Sequence, residues 1–100
     1  MHRLNELRAL QEQATGRLRL APALEADLRQ VVMGTTTASR LGQPEDANAA
    51  QLLAAASAGA SRWKRCGNDA RSSPTERRTA EALTRSYELM WQQVSERQAN

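Results

Sequence analysis

Residues 73–97 read SPTERRTAEALTRSYELMWQQVSER, and this stretch decides the fold. Ser73-Pro74-Thr75-Glu76 is a capping box with proline at the first helical position. The serine hydroxyl can accept from the Glu76 N–H while the glutamate side chain reaches back. Beyond it, apolar residues recur at Ala80, Leu83, Tyr87, Met90 and Val94, with Trp91 flanking. The steps alternate between three and four, the spacing of a two-helix seam. Arg77 to Glu81 and Glu81 to Arg85 are opposite charges four residues apart on another face. The spacing predicts a helix over about 74–97, with Arg97-Gln98-Ala99-Asn100 frayed.

The other half of the seam lies upstream. Pro44-Glu45-Asp46 reads as a helix start, with proline in the first turn and acids at the positive end of the dipole. A helix over about 44–66 follows. Leu53, Ala56, Ala60, Trp63 and Cys66 form its main stripe. Ala47, Ala50, Ala54 and Ala58 form a second stripe of small residues, which lets another backbone approach closely. Arg62, Lys64 and Arg65 occupy the last turn, and Gly67-Asn68 is a stop signal. The short link at 67–73 favours antiparallel neighbours.

Two shorter helices precede this hairpin. Leu4, Leu7, Leu10, Ala14 and Leu18 mark one face of a helix over about 3–18, weakened near its end by Gly16. Pro22 imposes a break at Leu20-Ala21 and suits the first turn of the next helix. That helix, 22–33, carries Leu24, Leu28, Val31 and Val32, and Gly34 ends it. Within 34–43, Ala38-Ser39-Arg40-Leu41-Gly42 has room for a short helical turn. The fold class expected is all-α, one helical domain over residues 1–100. Two short N-terminal helices pack on a long antiparallel helical hairpin (about 44–66 and 74–97).

Composition agrees. The chain has 100 residues, the length of one small domain. It lacks Phe and Ile and draws its apolar content mainly from 18 Ala and 12 Leu, so it is poor in strand formers and rich in helix formers. No stretch approaches the ~20 apolar residues of a membrane span. Met1-His2-Arg3-Leu4-Asn5-Glu6 has no apolar core of a signal peptide. A single cysteine fits a reducing compartment, so a cytoplasmic location is expected. Such a short chain has a thin core, which leaves room for an apolar face to be covered by another chain.

Charge is concentrated in one place. Residues 1–61 sum to zero, 62–78 to +4 and 79–100 to −1, although the whole chain carries only +3. The excess surrounds the link of the hairpin, beside Trp63. It could meet phosphates or an acidic protein, or simply be a solvated helix end with Trp63 packed inside.

No constellation for catalysis is visible. The one histidine, His2, has nothing local to fix it, and there is no histidine pair, Cys-x-x-Cys, carboxylate cluster or glycine-rich phosphate loop. No enzyme, cofactor or metal is expected. Cys66 sits beside cations, yet its stripe with Ala60 and Trp63 marks it as a buried small residue. Thr37-Ala38-Ser39-Arg40-Leu41-Gly42 resembles the entry to the turn of a helix-turn-helix. Gln43, Asn48 and Gln51 then stand where apolar anchors belong, and Pro44, Glu45 and Asp46 would face phosphates.

The length and hairpin are similar to the secreted hundred-residue W-x-G proteins, but Trp63 is followed by Lys64-Arg65-Cys66-Gly67, so their tripeptide is absent. The last 30 residues resemble the small helical co-chaperones of type III secretion needles in Pro74-Thr75-Glu76 and Ala82-Leu83. No residue role carries over from either. The leading expectation is a non-enzymatic protein–protein interaction module: a bacterial or phage adaptor, inhibitor or secretion-chaperone-like protein. Its partner is another protein or a second copy of itself, with no membrane involved. Tyr87, Met90, Trp91 and Val94 are the expected apolar anchors, although such a stripe is commonly core. Arg62, Lys64, Arg65, Arg71, Arg77 and Arg78 are the expected steering charges. The alternative is a small basic nucleic-acid-binding regulator using the same cations.

Overall fold

The computed structural model describes residues 6–9, 11, 20 and 22–99. The fold is all-α: α1 (Pro22–Met33), α2 (Thr37–Arg40), α3 (Ala49–Asn68) and α4 (Pro74–Ala99). Residues 6–9 and 11 are also helical, within the helix predicted for 3–18. Leu4, Leu10, Ala14, Gly16 and Leu18 of that prediction lie outside the described residues, as does His2.

The N-terminal helices form for local reasons. α1 starts at Pro22 and buries Leu28, Val31 and Val32, with Leu24 partly buried beside them, which is the predicted stripe. α2 is a single turn with its own capping box. Thr36 Oγ1 accepts from the Ser39 N–H at 3.1 Å, and Ser39 Oγ accepts from the Thr36 N–H at 3.0 Å. Gly42 then takes a left-handed conformation, φ 69°, which a side chain would strain.

The start of α3 departs from the sequence reading. Pro44-Glu45-Asp46 does not open a helix; it belongs to a turn in which the Ala47 N–H donates to the Pro44 carbonyl at 3.0 Å. The helix begins at Ala49, capped by Asn48. Asn48 Oδ1 accepts from the Gln51 N–H at 2.8 Å, and Gln51 Oε1 accepts from the Asn48 N–H at 2.9 Å. Two N–H groups are satisfied at once by this reciprocal pair. The helix also continues through Gly67 to Asn68, two residues past the predicted end.

α4 begins where predicted. Ser73 Oγ accepts from the Glu76 N–H at 3.1 Å, but the Glu76 carboxylate returns to the Ser73 hydroxyl, at 3.2 Å, rather than to its N–H. The helix runs to Ala99, beyond the expected fraying point. The Arg77–Glu81 and Glu81–Arg85 pairs do not close; among the described residues the ion pair at that spacing is Glu25–Arg29, 3.7 Å. Such exposed pairs are worth only a few tenths of a kcal/mol each.

α3 and α4 make most of the contact between helices. Gly67 meets Ala80 beside the link, and Gly59 meets Tyr87 farther along, so the two run antiparallel. Gly59 is buried, and the Tyr87 ring lies so close that a Cβ on Gly59 would collide with it. Around this contact the core gathers Trp63, Leu83, Met90, Leu28 and Val31. Leu52, rather than the predicted Leu53, packs against that cluster. Trp63 is fully buried, as its stripe position predicts.

Candidate interaction surface

The α4 stripe divides in two. Tyr87, Met90 and Val94 point inward and are 1–3% exposed. The sequence reading offers them as partner-facing anchors; they are instead buried in this chain's own interior, Tyr87 and Met90 within the core cluster that residues of α3 and α1 complete. Trp91, one position round the helix, is 44% exposed. Met33 and Leu7 are the other large exposed apolar side chains among the described residues.

Trp91 stands over a groove of about 440 Å³ on the α3–α4 seam. The α3 wall is made of Ser57, Ala60 and Ser61, and Trp91 and Gln92 form the α4 wall. Ala56 and Tyr87 are buried and lie at its base. At the end nearer the hairpin link, Lys64 Nζ and Glu88 Oε2 face each other across the seam at 3.5 Å. Of the predicted small-residue stripe, Ala47 is half-buried and precedes the helix, while Ala50, Ala54 and Ala58 are exposed.

Half of the six expected steering cations already have carboxylates. Arg62 clasps Asp27 of α1 with two bonds, Nε to Oδ2 at 2.9 Å and Nη2 to Oδ1 at 3.2 Å. That bond holds the guanidinium above its usual pKa. Lys64 has Glu88. Arg71 Nη2 binds Asp69 Oδ2 at 3.2 Å, and the bonds from Arg71 hold the Asp69 carboxyl below the usual range. Arg65, Arg77 and Arg78 are exposed and form no ion pair with a described residue; Arg78 reaches Thr75 Oγ1 at 3.3 Å. The local +4 is therefore partly answered from α1 and α4.

Two polar features lie beneath this surface. Burial pushes the Tyr87 phenol up to about 12, reinforced by the Asp27 charge and opposed by Arg62. The phenol is near the Trp63 indole, yet Trp63 Nε1 makes no hydrogen bond of regular geometry with a described residue. Cys66 is half-buried and burial raises its thiol, which argues against a reactive nucleophile.

One cluster escaped the sequence reading altogether. Glu6, one of the charged residues between the apolar positions of the first predicted helix, is fully buried. Its carboxylate accepts from Arg40 Nη2 at 2.9 and 3.2 Å and from the Ser86 hydroxyl. Arg40 Nε also donates to the Val31 carbonyl at 2.8 Å. The partners lie 34 and 80 residues away in the chain, so no local pattern signals them.

Among the described residues, no group of three His, Cys, Asp or Glu could hold a metal ion, and no helix is long and apolar enough to cross a membrane. Comparison with protein families, curated proteins and solved structures finds no significant match to this chain.

Proposed function

We propose that the chain is a non-catalytic helical interaction module that binds a partner chain through the Trp91 groove on the α3–α4 seam. The observation that carries this reading is the half-exposed indole of Trp91 beside a low wall of alanine and serine. Tryptophan is a frequent energetic anchor of interfaces, and small residues opposite it admit a helix closely. Arg65, Arg77 and Arg78 lie near the link and supply a basic flank that favours an acidic partner and speeds encounter. Adaptor, inhibitor and secretion-chaperone-like roles in a bacterium or phage share this physics, and a cytoplasmic setting suits the single free thiol.

The test is a photo-crosslinking side chain placed at Gln92, on the groove rim, in cells that express the chain. A polypeptide adduct that disappears on Trp91→Ala, with helical circular dichroism unchanged, is the expected result. Absence of any polypeptide adduct overturns the reading.

A second reading, a basic nucleic-acid-binding regulator, draws on the exposed Arg65, Arg77 and Arg78. It lacks helix-turn-helix support: α2 is one turn long, and residues 41–48 separate it from α3, whereas that motif uses a turn of ~3–4 residues. Retention on DNA that weakens steeply with salt would favour it.

A further inference from the structure

The groove carries its own complement. Its walls differ in height: Ser57, Ala60 and Ser61 project little from α3, while Trp91 stands out from α4. Exposed Ala50 and Ala54 share the face of Ser57 and Ser61 at helical spacing and extend the low wall. One end holds a cation on the low wall and an anion on the tall one, Lys64 and Glu88, at the same height across the seam.

We propose that a second copy of this chain closes the groove, docked about a two-fold axis that runs along it; this rests on the interaction reading above. Such an axis, lying in the interface plane, exchanges the two walls between copies. Trp91 of each copy comes to rest on the alanine–serine wall of the other. The same rotation sets Lys64 of each copy opposite Glu88 of the other. A two-fold axis across the groove achieves neither, since it puts tall wall on tall wall and Lys64 on the side of Lys64. One operation thus satisfies wall height and the Lys64–Glu88 pairing together, the self-complementarity an isologous interface requires, while it brings the exposed Arg65, Arg77 and Arg78 of both copies to one end.

The helix directions agree as well. Each α3 then lies against the α4 of the other copy, and those two run antiparallel, as α3 and α4 do within one chain. The result is a four-helix bundle in which every neighbouring pair is antiparallel. Exchanging partners costs Lys64 and Glu88 little. Their side chains are 58% and 50% exposed, and a pair in that setting contributes little within one chain.

Sedimentation of the purified full chain from micromolar to millimolar concentration tests this. The expected result is a dimer. Ser57→Arg, at an exposed position on the low wall, is expected to give a folded monomer. Lys64→Glu and Glu88→Lys each turn two attractive contacts per dimer into repulsive ones and should weaken self-association ~10-fold. Mixing these two variants should restore association as a heterodimer, because each then offers the charge the other lacks. A chain that stays monomeric at millimolar concentration overturns the proposal, as does a dimer indifferent to all three substitutions. The crosslinker at Gln92 separates the two readings. An adduct to a different protein, with a monomeric chain, sinks the second copy and leaves the interaction module; no adduct and no dimer sinks both.

Discussion

The Glu6 carboxylate lies fully buried against the Arg40 guanidinium, whose Nη2 donates to both of its oxygens, at 3.2 and 2.9 Å. With Ser86 donating from α4 and the Val31 carbonyl accepting from Arg40 Nε, this cluster ties the N-terminal segment, α1, α2 and α4 together. An ion leaves water only when its partners replace the lost hydration, and here they come from distant parts of the chain. The hairpin therefore has one face closed by a polar clasp and the opposite seam open at Trp91.

Removing one partner should expose the cost of that arrangement. Arg40→Met removes the guanidinium from a buried carboxylate, and such losses run to ~3–5 kcal/mol. The double variant Glu6→Gln/Arg40→Met leaves no charge behind and should recover much of the loss. Urea unfolding of the four chains in the cycle measures both numbers. A single variant as stable as wild type would show that the pair does not form.

What the sequence could reveal follows from how far each determinant reaches. α4 was legible because its cap, Ser73-Pro74-Thr75-Glu76, and its seam spacing are contiguous. The stripe of α1 was legible for the same reason. The start of α3 was misread because two start signals compete within five residues, and only Asn48 with Gln51 satisfies two N–H groups. Glu6 was illegible, since its burial depends on Arg40 and Ser86. Trp91 and Val94 both belong to the apolar side of one helix. Which of them meets water is decided by where α3 and α1 lie, a tertiary fact no periodicity carries.

The α3 cap offers a direct check of that competition. Asn48→Ala should destabilise the chain by ~1 kcal/mol, the usual cost of losing an N-cap side chain. Glu45→Ala should cost less, because its carboxylate serves only an exposed bond from Thr36 Oγ1, at 2.8 Å. Thermal unfolding of the two variants side by side decides between the start sites. A larger loss from Glu45→Ala would return the helix start to Pro44.

Gly59 sets two effects against each other. Alanine is the better helix former by ~1 kcal/mol. Yet a Cβ at Gly59 would run into the Tyr87 ring, and overpacking of a filled core costs ~1–3 kcal/mol. The collision should win, so Gly59→Ala is expected to lower the melting temperature. Adding Tyr87→Leu, which removes the ring, should make the same alanine less costly. A stabilised Gly59→Ala protein would mean that α3 and α4 do not approach at this point.

Tyr87 is the sole tyrosine, so its ionisation can be followed without interference from another phenol. In the folded chain it titrates at about 12; in the unfolded chain it should titrate near the ordinary value of ~10. Between these values the unfolded chain has lost the proton and the folded chain has kept it. By linkage, stability is unaffected by this group below the unfolded value. It then falls as pH rises toward the folded one, by roughly 1 kcal/mol per pH unit. Tyr87→Phe should flatten that alkaline decline, because no proton remains to be lost. Tyrosinate absorbance of the native chain gives the folded pKa directly, and urea unfolding at stepped pH gives the slope. A native phenol that titrates near its ordinary value would place the ring in water and dismantle the α3–α4 seam described here, since the same ring rests on Gly59.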